Sequence, residues 1–130
     1  MRKGDIQPSS VHPTAGYTHG VLTHSGLLFI AGQVAKDPAD TTVGAGDMTA
    51  QAVRVFENIG AILDEAGGNF QDLVKLNIYM TDARLLGPFR DARDRYMKDV
   101  NPASTLVVVP ALADPGWMLE VEAVADLGDR

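Results

Sequence analysis

The stretch WMLEVEAVADL, Trp117 to Leu127, decides how the rest of the chain is read. Side chains alternate across a β-strand. Leu119, Val121, Ala123 and Ala125 therefore share one face, and Met118, Glu120, Glu122 and Val124 share the other. The first face is wholly apolar and belongs against a core. The second sets two carboxylates side by side among apolar groups. Carboxylates in such surroundings need a cation, hydrogen-bond donors or a ligand.

Working back from that strand, "STLVVV" is a second strand, joined to it by the loop "PALADPG". Before it, Leu85, Phe89, Ala92 and Tyr96 recur at helical spacing, which predicts a helix from roughly Leu85 to Lys98 with Pro88 in its first turn. "LVKLNIYMT" is a strand, with Val74, Leu76, Ile78 and Met80 alternating against Lys75, Asn77, Tyr79 and Thr81. Met48, Ala52, Val55, Ile59, Ile62 and Ala66 form one face of a first helix. Asp47 is its expected N-cap and Gly67-Gly68 its stop. "YTHGVLTH" and "LLFIAGQVA" read as a hairpin about Ser25-Gly26, and "KDPADTTVGAGD" as an exposed loop. Residues 1–16 carry no period and read as a lead-in loop.

The order is β-β-α-β-α-β-β, an α+β domain with two helices on one face of a mixed sheet. At 130 residues the chain fits one domain, 1–130. Two helices cover one sheet face only. The other, partly apolar and carrying the glutamates, is expected to meet a partner subunit or a ligand, so a homo-oligomer with pockets between subunits is predicted.

Bulk properties narrow the function. A net charge of −6 disfavours a general nucleic-acid role. The mixed run Arg84, Arg90, Arg93, Arg95 and Lys98 is interleaved with Asp91, Asp94 and Asp99 and reads as a solvated helix face. There is no cysteine, hence no disulfide, thiolate nucleophile or cysteine-bound metal. With no signal-peptide core and no membrane-length apolar run, a cytoplasmic address is expected. His12, His19 and His24 do not read as a metal site: His19 and His24 lie an odd number of residues apart, and no acidic ligand sits at a recognisable spacing. A G-x-S-x-G elbow is also absent.

"GYTHGV", "LLFIAGQVAKDP", "ILDEAGG", "LVKLNIYMTD", "NPASTLVVV" and "MLEVEAVA" occur in the order typical of the Rid family (reactive intermediate deaminases, YjgF-like), and the chain resembles that family from about Ala15 to Ala125. The resemblance implies a chorismate-mutase-like subunit, a trimer and three clefts at the subunit interfaces. It implies hydrolysis of enamines and imines, such as 2-aminoacrylate, to a keto acid and ammonia, without metal or organic cofactor. Family members hold the substrate carboxylate with an arginine in a P-A-R-S motif. A planar fork suits a carboxylate better than an ammonium does. They hold water on a last-strand glutamate, and a tyrosine lines the cleft.

Carried over by position, the glutamate is Glu120 and the tyrosine Tyr17. The serine of the family's "SGQ" is Ala31, and the arginine falls on Ser104. The resemblance thus implies Glu120 as the catalytic carboxylate, with Tyr17 and Ala31 at the substrate, and Ser104 and Thr105 are expected to bind its carboxylate through hydroxyls and backbone N–H groups. Glu122 reads as structural. No Arg or Lys lies between Lys98 and Arg130, so a replacement cation must come from elsewhere, Arg90 or Arg93 of another subunit being candidates. Without the arginine, standard 2-aminoacrylate deamination is not expected. The alternative is a non-catalytic trimer that binds a ligand or a protein. RNA cleavage, attributed to some family members, fits poorly with the acidic charge.

Overall fold

The computed structural model describes residues 2–128, and the side chains from Gly4 onward. The ends of the expected 1–130 domain, Met1, Asp129 and Arg130, lie outside the described residues. Eight main elements follow one another: β1 (Arg2–Ile6), β2 (Gly20–Thr23), β3 (Leu27–Gln33), α1 (Met48–Ala66), β4 (Leu73–Met80), α2 (Leu86–Met97), β5 (Ala103–Val108) and β6 (Leu119–Asp126). The strands make one sheet in the order β1-β2-β3-β6-β4-β5. Only β4 and β5, joined through α2, run parallel.

Both helices lie on one face, as expected. The core is the seam between them and the inward strand positions. On β6, Leu119, Val121, Ala123 and Ala125 are all buried, as the period of two requires. They meet Met48, Ala52, Val55, Ile59 and Ile62 of α1 in one apolar cluster. Phe56 of α1 stacks on Tyr96 of α2 at 5.6 Å between centroids and tilts against Phe89 at 6.0 Å. The caps of α1 fall where expected. The Asp47 carboxylate accepts from the Ala50 N–H at 3.1 Å, and Gly67 closes the helix in the left-handed conformation, φ 88°.

Three details differ from the sequence reading. The presumed lead-in loop contains β1, an edge strand paired to β2. The stretch "RKGDI" shows no apolar alternation because an edge strand is held by backbone pairing more than by burial. On β4, Val74 is exposed and Leu73 is buried instead. The β4–β6 register shifts between Leu73 and Lys75, a bulge that turns Val74 outward. Lastly, α2 begins and ends one residue inside its expected bounds.

Candidate functional site

Glu120 and Glu122 stand on the helix-free face of β6, two residues apart, in different environments. Glu122 is satisfied. Its Oε1 accepts from Asn77 Nδ2 at 3.0 Å and from the Tyr79 hydroxyl at 2.9 Å, both on neighbouring β4. That bond, followed by the charge of Glu122, raises the Tyr79 phenol above its ordinary pKa. Glu120 is half-buried and makes no side-chain hydrogen bond or ion pair among the described residues. Burial, and secondly the charge of Glu122, push its carboxyl above the usual carboxylate range. A carboxyl so placed can exchange a proton nearer neutrality than a solvated one.

The backbone opposite makes room for it. β3 and β6 lose register between Ile30 and Gln33, so Ala31 and Gly32 bulge where Glu122 has its turn on β6. A Cβ on Gly32 would stand 2.8 Å from Glu120 Cδ and closer still to its Oε2. Only glycine lets the carboxylate lie against this strand.

The bulge forms one wall of a cleft of about 580 Å³. Tyr17, Ala31, Gly32, Lys36, Trp117 and Glu120 line it, and His12 reaches it from the N-terminal segment. Three of the five residues expected to form the site, Glu120, Tyr17 and Ala31, are therefore brought together within one chain. Tyr17 is exposed and packs edge-on to His19, 6.1 Å between centroids.

Ser104 and Thr105 go elsewhere. In the parallel β4–β5 pairing, Ser104 is level with Leu76 and Thr105 with Asn77. Thr105 thus shares the carboxylate face, where its hydroxyl accepts from Lys75 Nζ at 3.1 Å. Ser104 lies on the helix side, at a hollow of about 290 Å³ with Arg93, Asp94 and Lys98. Arg93 lies over the Phe89 ring and meets Asp94 at 3.3 Å, and Arg90 is an exposed residue of α2. Neither arginine lines the Glu120 cleft within this chain.

His12 and His19 are structural neighbours. His19 Nε2 donates to the His12 carbonyl at 2.7 Å, and Gln33 Nε2 donates to His19 Nδ1 at 3.0 Å. His12 is 2% exposed, and its Nδ1 has no hydrogen-bond partner among the described residues. Burial first, then the charges of His19 and Lys36, lower its pKa to about 4, so it is neutral at physiological pH. Among the described residues no three His, Asp or Glu side chains gather as a metal site would require, and no helix is long and apolar enough to cross a membrane.

Gly32, Lys36, Asp40, Trp117 and His12 are among the cleft residues that sequence reasoning missed. One signal was available: Trp117 is the sole tryptophan and stands three residues before Glu120.

The family model described as Endoribonuclease L-PSP matches residues 7–127. A RutC family protein of Pyrococcus abyssi is 33% identical over 113 residues, 87% of each chain. The 2-iminobutanoate/2-iminopropanoate deaminase of Capra hircus is 31% identical over 121 residues, covering 93% of this chain and 85% of its own. Among solved structures, a Rid-family protein of unknown function from Yersinia pestis has a TM-score of 0.89 at 28% identity, over 95% of this chain and 98% of that one. RidA from the Antarctic bacterium Psychrobacter has a TM-score of 0.88 at 29% identity, covering 96% and 100%.

Proposed function

The chain belongs to the Endoribonuclease L-PSP family, which takes in the Rid proteins it resembles, and from that membership we propose that it is a cytoplasmic homotrimer that hydrolyses an imine, an enamine or a related carbonyl derivative of a small metabolite. The cleft beside Glu120 is one subunit's share of an inter-subunit pocket. The observation that carries the reading is Glu120: a half-buried carboxylate without a hydrogen-bond or ion-pair partner among the described residues, raised in pKa, on the wall of a cleft that Tyr17 flanks.

In this reading the Glu120 carboxylate takes a proton from water as the water oxygen adds to the imine carbon. The C=N electron pair moves to nitrogen, which takes that proton back from Glu120. The hydroxyl proton then passes through Glu120 to the amine nitrogen as the C–N bond breaks, so that ammonia leaves and a ketone remains. Tyr17 offers its hydroxyl to the substrate; the bulge at Ala31 and Gly32 sets the width of the pocket. The named deaminase among the relatives supports this class of reaction. The net charge of −6 argues against nucleic acid as substrate. Because Ser104 stands at the arginine position of the Rid pattern, 2-aminoacrylate is expected to be a poor substrate.

Imines generated in place by an amino-acid oxidase, with semicarbazide trapping what remains, test the reading. Wild type should compete with the trap on at least one imine. Silence across aliphatic, acidic and aromatic imines would leave a binding protein and no deaminase.

A further inference from the structure

We propose that Lys36 is the cation of the cleft: it binds the anionic group of the ligand, beside the reacting carbon, in place of an arginine on β5. This rests on the cleft being a ligand site, though not on the chemistry assigned to Glu120.

Lys36 follows β3 in the loop that leads to α1, and its backbone is fixed with unusual thoroughness for a loop. Its N–H donates to the Val34 carbonyl at 2.8 Å. Its carbonyl accepts from Arg54 Nε at 3.1 Å and from Asn58 Nδ2 at 3.4 Å, and Asn58 is fully buried. An isolated bridge pairs Lys36 with Thr42, and the Thr42 hydroxyl accepts from Trp117 Nε1 at 3.2 Å. Two long side chains from distant parts of the sequence are thereby locked together. The Lys36 ammonium sits over the Trp117 ring, 5.4 Å from its centroid, on the wall of the cleft that holds Glu120. A lysine meant only for solubility has no need of a buried asparagine and an arginine to hold its backbone.

Its charge is at present met by Asp40, 2.6 Å away. Asp40 is about half exposed, at φ 65°, on the rim of the same cleft. An exposed ion pair is weak enough for a ligand anion to compete with it. A compact anion on the Trp117 side can draw the ammonium from Asp40 at little cost. The ligand class follows: a small planar metabolite with a carboxylate, or a group of like charge, beside the hydrolysable carbon.

Trp117 is the only tryptophan, so its fluorescence reports on this wall directly. Titration with 2-oxobutanoate, a keto acid that is not turned over, should give a saturable change in wild type and none with its uncharged methyl ester. Lys36→Met keeps the stem over the indole and should raise Kd on the order of tenfold or more. Asp40→Asn, which suits the left-handed backbone, should lower Kd by removing the competitor. Wild-type affinity in Lys36→Met, equal binding of the methyl ester or no binding by wild type would each overturn the proposal. Imine turnover is read separately. A chain that binds the anion through Lys36 yet turns nothing over defeats the hydrolase reading alone. One that deaminates with Lys36→Met unimpaired in anion binding defeats only this inference.

Discussion

Two glutamates on one strand, two residues apart, differ because of what stands beside each. Glu122 receives two donors from β4, whereas Glu120 faces an open cleft and a glycine. The raised pKa of Glu120 has a testable sign. If its ionised form is the base, turnover falls as pH drops through that pKa. Removing the negative neighbour favours ionisation, so Glu122→Gln should move the acid limb of kcat/KM to lower pH. An unchanged limb would mean that Glu122 does not tune Glu120. His12 offers a second pH test. Its pKa is about 4 in the fold against an ordinary 6.5. The unfolded chain therefore binds the proton first, and stability is lost as pH falls from 6.5 towards 4, by at most on the order of 3 kcal/mol. Urea unfolding at pH 7 and pH 4.5 should show this loss, and His12→Asn should flatten it; equal slopes in both proteins would remove His12 from the account. The glutamates were legible because period two sorts them from the core. Lys36 and Trp117 were not, since 81 residues of chain separate them and only the folded loops bring them together.

At the scale of the element, α1 does more than fill the core. Its polar residues Gln51, Arg54 and Asn58, at steps of three and four, line one edge of the helix and bind the loops around the cleft. Gln51 donates to the carbonyls of Gly44 and Gly116 and accepts from the Met118 N–H at 2.9 Å. Arg54 Nη2 reaches the Ser10 carbonyl at 3.1 Å, and Asn58 donates to the Val34 carbonyl. Truncating Asn58 removes its bonds to the Val34 and Lys36 carbonyls and the acceptor it offers Arg54, in a buried place, which costs about 1–3 kcal/mol. Denaturant unfolding of Asn58→Ala should show that loss together with weakened ligand binding; a stability loss under 0.5 kcal/mol would contradict the stapling role. The apolar face and both caps of α1 could be read from the sequence, because they repeat locally. The stapling row could not: an asparagine within a helix has the same look whether it faces water or a carbonyl 24 residues away. The outward turn of Val74 was hidden for a related reason, since a bulge depends on the partner strand.

The whole molecule has one finished sheet face and one unfinished. Opposite the helices, Phe29 is 47% exposed. It shares a shallow hollow of about 430 Å³ with Val21, Val124, Lys75 and Glu122. The exposed apolar groups of this face suit a subunit interface, in keeping with the proposed trimer. Light scattering should give three times the 13.9 kDa chain mass, and Phe29→Glu should lower it. A monomer at micromolar concentration would remove the trimer and, with it, the completed pocket.

The central claim is that Glu120 acts on bound substrate through chemistry rather than through binding. The most direct measurement sets turnover of 2-iminobutanoate beside the Kd for 2-oxobutanoate, in wild type and Glu120→Gln. The account predicts a loss of kcat of about 100-fold or more with Kd changed little. Unchanged turnover, or turnover lost only in step with binding, would contradict it.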